Sequence, residues 1–245
     1  MSDGLLLLHA FPLDARMWEP QVSKLGSELP VVAPDLPGFG GSPPAADVTT
    51  MAAASARVLE AVGQAGLDRA LVCGLSMGGY VAFELWRRSP GLVLGLVLAN
   101  TRSEADPEEG AARRRALAER LRAEGSAFLV EDPPPLLSPN ASPELRARVR
   151  DLIADQPAEA IAAASLGMAT RPDSSGDLPR IDVPTLLITG SEDRLIPPEV
   201  TSAMARVIPG AGLEVIEGVG HLSNLEAPDR FTDLLREQAA RCGLG

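Results

Sequence analysis

A serine stands between two glycines at residues 74–78, in the sequence Gly-Leu-Ser-Met-Gly. The segment follows a short apolar run at residues 70–73 and precedes a run with helical character at residues 80–86. This order of strand, sharp turn and helix is the context in which a G-x-S-x-G pattern predicts a strained turn that exposes a serine hydroxyl above a sheet. The glycines allow the close backbone approach that such a turn needs. Ser76 is therefore the candidate nucleophile.

Short apolar runs alternate with amphipathic or alanine-rich segments, which indicates a mostly parallel α/β sheet with helices on both faces. The predicted strands are residues 4–9, 31–33, 71–74, 92–99, 185–189 and 213–217. The predicted helices are residues 18–29, 50–65, 77–88, 198–207 and 227–241. A chain of 245 residues with 45% hydrophobic composition can bury one full core, so we expect a single α/β domain with an insertion.

One stretch interrupts this alternation, because residues 101–180 contain no convincing strand. Its helical patterns are residues 108–124, 143–155 and 157–169. We predict that residues 1–100 and 181–245 form the core, and that residues 101–180 form a helical cap over the candidate site. The arginines at positions 113–115 lie among glutamates, which favours a solvated, ion-paired helix face over a ligand site.

The composition excludes several classes of partner. A net charge of −11 argues against nucleic acid and against anionic membranes, which both require a basic surface. No basic leader precedes the leucines at residues 5–8, and the longest apolar run, residues 92–99, is too short to span a bilayer. We expect a cytoplasmic protein that acts on a small molecule. Two histidines, two cysteines and no phosphate-binding motif predict neither a metal site nor a cofactor.

A serine hydroxyl is a poor nucleophile at neutral pH, so Ser76 needs a base and a group that orients this base. His221 follows the last predicted strand and precedes the last predicted helix. Loops at the carboxyl ends of parallel strands are where the sites of α/β proteins are built. We favour His221 as the catalytic base, and a purely structural histidine is the alternative.

The orienting acid should come from another loop at the same edge of the sheet, and the loop after residues 185–189 offers two candidates. We favour Asp193, which would fix the imidazole tautomer and stabilise the imidazolium. Glu192 is the competing acid. An ion pair with Arg194 alone is the alternative role for Asp193.

Acyl transfer also needs N–H donors for the negative charge that develops on the carbonyl oxygen. The Met77 amide follows the nucleophile at the start of a predicted helix, where the helix dipole favours negative charge. The loop after the first strand should supply the second donor. Pro12 has no N–H, so the Phe11 amide is the predicted donor.

Six apolar residues of the insertion or of the site loops are candidates for an acyl pocket, with simple packing of the cap as an equal alternative. These residues are Leu136, Leu137, Leu166, Met168, Ile196 and Leu222. Arg16 and Arg102 are candidates for contact with a substrate carboxylate, although we favour a surface position for both.

Five segments together resemble the α/β-hydrolase family, over roughly residues 5–235. The segments are residues 9–14, 35–42, 74–79, 96–101 and 220–226. Within the family, the chain is most similar to 3-oxoadipate enol-lactonase-like carboxylesterases. The resemblance implies the α/β-hydrolase fold, with Ser76 as nucleophile, Asp193 as acid and His221 as base. It also implies the Phe11 and Met77 amides as oxyanion donors, and it says little about the substrate.

Two features depart from the family's pattern. Ala10 occupies a position where the family usually has glycine, which puts the Phe11 donor in question. A two-strand hairpin normally precedes the first predicted strand, but only three residues precede it here. If the hairpin is missing, residues 31–33 form an apolar sheet edge. We therefore expect either a homodimer through this edge or a chain whose true start lies upstream.

These features lead to the hypothesis of a cofactor-free serine hydrolase that cleaves a carboxylic ester or lactone through an acyl-enzyme. Thioesterase, perhydrolase or haloperoxidase-like, and hydroxynitrile lyase activities are the alternatives on the same scaffold. A ligand-binding receptor or pseudoenzyme is the alternative from another class.

Overall fold

The computed structural model describes residues 2–44 and 46–244, and it contains a sheet of six parallel strands flanked by helices. The strands are β1 (Ser2–Leu8), β2 (Val31–Val32), β3 (Leu67–Leu75), β4 (Val93–Ala99), β5 (Thr185–Gly190) and β6 (Gly212–Ile216). Their order across the sheet is β2-β1-β3-β4-β5-β6, and every neighbouring pair is parallel. The predicted α/β fold with a parallel sheet is confirmed.

Helices connect and flank the strands. They are α1 (Glu19–Leu25), α2 (Met51–Gln64), α3 (Met77–Arg88), α4 (Glu108–Glu124), α5 (Ala127–Glu131), α6 (Pro143–Ala154), α7 (Ala158–Ala169), α8 (Pro198–Ala205), α9 (Ser223–Glu226) and α10 (Pro228–Arg241). Helix α3 packs on β1, β3 and β4, while α8 packs on β5 and β6. In the part of the chain that the structure describes, no helix is both long and apolar enough to cross a bilayer.

The central strands are apolar without alternation because both of their faces are covered. The four leucines at residues 5–8 in β1 are all fully buried, and the same holds for residues 96–99 in β4. Strand β6, by contrast, lies at one edge of the sheet and alternates, with Leu213 and Val215 exposed. This difference in pattern follows from the number of covered faces.

Strand β2 lies at the opposite edge of the sheet, where the sequence places residues 31–33. It pairs with β1 only, through Leu5 opposite Val31 and Leu6 opposite Val32. Both valines are half-buried. The expected homodimer through this edge stays a prediction.

Residues 101–180, which we call the inserted segment, contain α4 to α7 and no strand among the described residues. Helix α4 packs along α7, and α5 packs on α6. The predicted helix at residues 108–124 coincides with α4, and the other two predicted helices match α6 and α7 within one residue at each end. Helix α5 is absent from the sequence prediction. The division into core and cap domains stays a prediction.

Glycine at position 78 permits α3 to begin directly against the sheet. A Cβ atom at Gly78 would lie 2.1 Å from the carbonyl oxygen of Leu8, at the carboxyl end of β1. A Cβ at Gly74 would lie 2.3 Å from the Gly78 carbonyl oxygen. Both distances are far below van der Waals contact, so any larger residue at either position would force the neighbouring backbone to move. The two glycines therefore set how closely the turn before α3 approaches its strands.

We expect the Gly78→Ala substitution to lower the free energy of unfolding by about 1–3 kcal/mol, because the added methyl overpacks a backbone contact. Gly63 provides the matched control, since a Cβ there meets no atom within 4 Å. Gly63→Ala, inside α2, should raise the free energy of unfolding by about 0.5–1 kcal/mol. Denaturant unfolding of both variants measures the difference. Equal stability of the two variants would contradict the packing argument.

Candidate active site

Ser76 occupies a strained turn between β3 and α3. Its backbone has φ 55° and ψ −114°, a conformation that non-glycine residues rarely adopt and that surrounding structure must hold. The Ser76 N–H donates to the Ala99 carbonyl oxygen at 2.9 Å, and the Ser76 carbonyl accepts from the Thr101 hydroxyl at 2.8 Å. The end of β4 therefore holds the turn that carries the serine.

His221 and Asp193 form a buried hydrogen-bonded pair. The distance between His221 Nδ1 and Asp193 Oδ2 is 2.8 Å, and the two side chains are 2% and 0% exposed. An ionised carboxylate only accepts, so Nδ1 carries the proton and Nε2 is the basic nitrogen. Asp193 comes from the loop after β5, and His221 from the loop after β6.

The alternatives for the acid do not fit this geometry. Glu192 is exposed, and its backbone N–H donates to the Val219 carbonyl oxygen at 2.8 Å. Arg194 is exposed as well, and the ion pairs of residues 2–44 and 46–244 do not include one between Arg194 and Asp193. The structure thus brings Asp193, and not Glu192, against the imidazole.

Asn100 joins the loops that carry the acid and the histidine, a role that the sequence did not reveal. Its Nδ2 donates to Asp193 Oδ2 at 2.9 Å and to the Gly220 carbonyl oxygen at 3.3 Å. Its Oδ1 accepts from the Ser223 hydroxyl at 2.6 Å. Asn100 has φ 46°, and asparagine is one of the few residues that tolerate this left-handed region. The sequence signal that could have indicated this role is an asparagine directly after a buried strand.

The environment of Asp193 favours its ionised form. Burial alone would raise the pKa of this carboxyl, but the hydrogen bond and charge of His221 lower it, as do hydrogen bonds from the Ile196 backbone N–H and from Asn100. The net effect holds the pKa of Asp193 below its usual range. The other carboxylate oxygen of Asp193, Oδ1, accepts hydrogen bonds from the backbone N–H groups of Leu195 and Ile196, each at 2.9 Å. The carboxylate can therefore balance a positive charge on the imidazole.

Among the described residues, neither predicted oxyanion donor uses its amide N–H in a hydrogen bond. Met77 is the first residue of α3, where an N–H has no acceptor within the helix. In the loop after β1, the Ala10 N–H donates to Met17 Sδ at 3.2 Å, and the Leu13 N–H donates to the Ala10 carbonyl oxygen at 3.0 Å. Among the hydrogen bonds of the described residues, none uses the Phe11 N–H. Within the described chain, the Phe11 N–H of that loop is therefore not used and can donate to a ligand.

Ser76, His221 and Phe11 line one cavity of about 370 Å³. Leu136, Met168 and Ile196, three of the predicted pocket residues, line it as well. The other apolar residues of the lining are Pro12, Tyr80, Leu117, Leu129, Pro134 and Leu195. The cavity therefore combines an apolar wall with the candidate catalytic groups, as expected for a small-molecule site.

Three predicted pocket residues do not line this cavity. Leu222 directly follows His221 and is fully buried, and its N–H donates to the Leu136 carbonyl oxygen at 2.9 Å. Leu137 lines a separate groove beside the prolines at residues 133–135. Leu166 lies on α7, half-buried against the core. Apolar character alone did not distinguish packing from pocket lining at these positions.

The two arginines proposed for a substrate carboxylate have different positions. Arg102 lines the cavity and is half-buried, which corrects the favoured surface assignment. Arg16 is outside it, where its guanidinium binds the carboxylates of Asp14 and Asp155, each at 2.7 Å. Arg16 follows the expected surface position.

The arginines at positions 113–115 are ion-paired, as expected. Arg113 pairs with Glu109, Arg114 with Asp106 and Arg115 with Glu108. Arg113 and Arg114 also line the cavity, a placement that corrects the assignment of the whole cluster to a solvated face.

His9 is a structural histidine. Its Nδ1 donates to the Ala10 carbonyl oxygen at 3.0 Å, and its Nε2 accepts from the Leu36 N–H at 2.9 Å. The ring meets Phe39 edge-on, with 5.3 Å between ring centroids. Burial lowers the pKa of His9, because a protonated ring in the interior would lose its solvation. Protonation would also place an N–H on Nε2, directly opposite the Leu36 N–H. No described residues form a group of three or more His, Cys, Asp or Glu side chains suited to a metal.

We expect His9 to make stability fall at mildly acidic pH. The unfolded chain protonates His9 below its ordinary pKa of 6.5, whereas the folded chain resists protonation to lower pH. His9→Gln should be less stable near pH 7.5, and its stability deficit should shrink as the pH falls to about 5. Unfolding curves of both proteins across this range measure the deficit. Both proteins contain His221, so its contribution cancels in the difference between their free energies of unfolding. A difference that stays constant from about pH 7.5 to about pH 5 would contradict the structural role of His9.

Glu226 connects the histidine loop to the inserted segment. Its carboxylate accepts from the Gly220 N–H at 2.8 Å and from the Ser138 N–H at 3.1 Å. Gly220 directly precedes His221, and Ser138 lies two residues from Leu136, which lines the cavity. The Glu226 carboxylate therefore links the residue before His221 to the inserted segment beside the cavity.

Replacement of Glu226 by glutamine should lower the free energy of unfolding by about 1.5–3 kcal/mol, because hydrogen bonds to a charged acceptor are lost. It should also lower kcat on any substrate more than it changes KM, since the loop that positions His221 loosens. Glu217 is an exposed glutamate close by in the chain, and Glu217→Gln serves as the control. Matching kinetics and stability for the two variants would show that Glu226 has no positioning role.

Comparison with known proteins identifies the family of the chain. The sequence matches the model of the alpha/beta hydrolase family over residues 5–234. It is 31% identical to 3-oxoadipate enol-lactonase 1 of Acinetobacter baylyi over 237 residues, which cover 95% of this chain and 87% of that protein. Among solved structures, a malate-bound thermophilic esterase from Thermogutta terrifontis is 40% identical, with a TM-score of 0.94 and coverage of 98% and 90% of the two chains. An enol-lactonase from Burkholderia xenovorans LB400 is 27% identical, with a TM-score of 0.87 and coverage of 98% and 92%.

Proposed function

Because this chain belongs to the alpha/beta hydrolase family and is an ester hydrolase, we propose that it cleaves carboxylic esters or lactones through an acyl-enzyme on Ser76. One observation carries the proposal: the buried His221–Asp193 pair opens onto the same cavity as the strained serine. A histidine whose Nδ1 proton is held by a carboxylate has a basic Nε2, which is what a serine nucleophile needs.

The reaction begins when His221 Nε2 takes the proton of the Ser76 hydroxyl as the serine oxygen bonds to the substrate carbonyl carbon. The carbonyl oxygen becomes an oxyanion, which accepts hydrogen bonds from the Phe11 and Met77 amides. The imidazolium then protonates the departing alkoxide, and the carbon–oxygen bond to the alcohol breaks. Water repeats the sequence on the acyl-enzyme, which releases the acid and restores the serine. Asp193 stays ionised throughout and stabilises the imidazolium.

The serine must turn toward the imidazole for the first step. Among the described residues, the hydrogen bonds do not include one between Ser76 Oγ and His221 Nε2. Such bonds often form only when substrate is present. A cavity of about 370 Å³ lies near the lower limit for ligand sites, which favours a short acyl group or a small lactone.

Fluorophosphonate labelling and steady-state hydrolysis of a short p-nitrophenyl ester test the proposal. The unmodified protein should be labelled stoichiometrically, and Ser76→Ala should abolish labelling and lower kcat by about 10⁶-fold. Asp193→Asn should lower kcat by about 10⁴-fold, because the imidazole loses its tautomer and its counter-charge.

Glu192→Gln is the matched control for the acid, because this exposed carboxylate is adjacent in the chain and does not contact His221. Its kcat should stay within about threefold of the unmodified protein. An inert Ser76, or an Asp193→Asn variant as active as Glu192→Gln, would overturn the mechanism.

A further inference from the structure

A thin wall separates the cavity from a groove outside it. The groove has a volume of about 240 Å³ and is lined by residues 133–137, by Pro139, by three residues of α6 and by Arg194. Among the described residues, Pro134 and Leu136 line both this groove and the cavity of about 370 Å³. Leu136 is 3% exposed. These two residues therefore form a partition between the two spaces.

The backbone of the partition is held on both sides of Leu136. The Leu136 N–H donates to the Pro134 carbonyl oxygen at 2.6 Å, and the Leu136 carbonyl oxygen accepts from the Leu222 N–H at 2.9 Å. Two residues further on, the Ser138 N–H donates to the Glu226 carboxylate at 3.1 Å. The segment begins with three consecutive prolines, and each proline ring fixes its φ angle. The partition therefore resists swinging aside, and the Leu136 side chain sets how far a ligand can extend.

The groove behind the partition offers an apolar surface. Four prolines line it, together with Leu137 and Val149, and the arginines of its lining have long aliphatic stems. An alkyl chain that passed Leu136 would bury its methylene groups there. Each methylene group transferred from water to such a surface strengthens binding about fourfold. Leu136 therefore keeps usable apolar volume out of the cavity.

The partition lies on the side of the cavity where the alcohol part of an ester must lie. In the proposed mechanism, His221 protonates the departing alkoxide, so the alcohol part occupies the space beside the imidazole. The Leu136 carbonyl oxygen is bound by Leu222, the residue directly after His221. Leu136 therefore faces the alcohol part of the substrate rather than the acyl part.

We propose that Leu136 is a specificity-determining residue, which limits the ester substrates of this protein to esters of short alcohols. The inference rests on the proposed hydrolase function and names the part of the substrate that the cavity restricts. A short alcohol chain fits between His221 and Leu136, whereas a longer chain meets the Leu136 side chain and cannot enter the groove. Leu136 takes no part in proton transfer, so its replacement should change which esters react and leave the chemistry as it is.

Two pairs of esters test this inference. Ethyl acetate and octyl acetate differ only in the alcohol, and p-nitrophenyl acetate and p-nitrophenyl octanoate differ only in the acyl group. Both alkyl acetates form the same acetyl-enzyme, so a difference between their kcat/KM values arises no later than the step in which the alcohol leaves. Leu136→Ala should raise the octyl-to-ethyl ratio of kcat/KM about 10–100-fold, because several methylene groups gain the groove. The octanoate-to-acetate ratio should change less than about threefold.

Two other leucine-to-alanine substitutions are matched controls. Leu129→Ala removes the same three carbons from a residue that lines the cavity and not the groove. Leu137→Ala removes them from the neighbouring residue, which lines the groove and not the cavity. Neither substitution should raise the octyl-to-ethyl ratio more than about threefold.

The design allows for the burial of Leu136. Each ratio compares two esters on the same protein, so a reduced fraction of folded protein cancels. Leu136→Val is a smaller change, and it should raise the octyl-to-ethyl ratio by a smaller factor than Leu136→Ala. It provides the same test if Leu136→Ala does not fold.

The outcomes separate this inference from the proposed function. If Leu136→Ala and Leu136→Val leave the octyl-to-ethyl ratio unchanged, or if Leu129→Ala raises it equally, the role of Leu136 is wrong while ester hydrolysis at Ser76 stands. An increase confined to p-nitrophenyl octanoate would overturn the assignment to the alcohol side. If the unmodified protein hydrolyses no ester of either pair and Ser76 resists fluorophosphonate, the proposed function fails and the inference with it. A selective gain for octyl acetate in the Leu136 variants supports the inference.

Discussion

The hydrogen bonds of Asn100 are the interaction on which the arrangement of the site depends. Its backbone N–H donates to the Ile188 carbonyl oxygen at 2.8 Å, so the end of β4 is fixed to β5. Its side chain then reaches Asp193 and Gly220 from the same point. A left-handed backbone at this residue aims one short amide at two loops that lie 93 and 120 residues further along the chain. Parallel strands bring these loops to one edge of the sheet, and Asn100 sets their spacing.

Much of the fold follows from local pattern. Apolar runs predict all six strands, and the signal is strongest for the central ones, because a parallel strand covered on both faces must be apolar on both. The glycine and serine pattern at residues 74–78 predicts the start of α3 at Met77, where the structure has it. The short helices α5 and α9 were missed, since four or five residues give no periodic signal. The order of Ser76, Asp193 and His221 along the chain predicts a catalytic set; in the structure His221 pairs with Asp193 and lines the same cavity as Ser76, and the catalytic role stays a prediction.

What the sequence did not predict depends on contacts between distant residues. Glu226 has no distinguishing local pattern in sequence, and only the folded chain shows both of its backbone donors. Leu136 and Leu137 are adjacent and chemically identical, yet only Leu136 lines the cavity. Arg102 has no distinguishing neighbour in sequence; its half-buried place in the cavity wall, with no ion pair among the described residues, is visible only in the fold. The direction in which each side chain packs and the partner that it meets decide these roles. The amino-acid sequence specifies neither of them locally.

The shared carboxylate of Glu226 has a consequence for altering the specificity of this scaffold. A cavity wall is usually changed by exchange of the segment that supplies its lining residues, here largely residues 101–180. In this chain such a graft would also replace Ser138, whose backbone N–H Glu226 binds, and could leave the Glu226 carboxylate short of one donor. A chimaera must therefore retain a backbone N–H at that point, because the same carboxylate also holds the residue before His221.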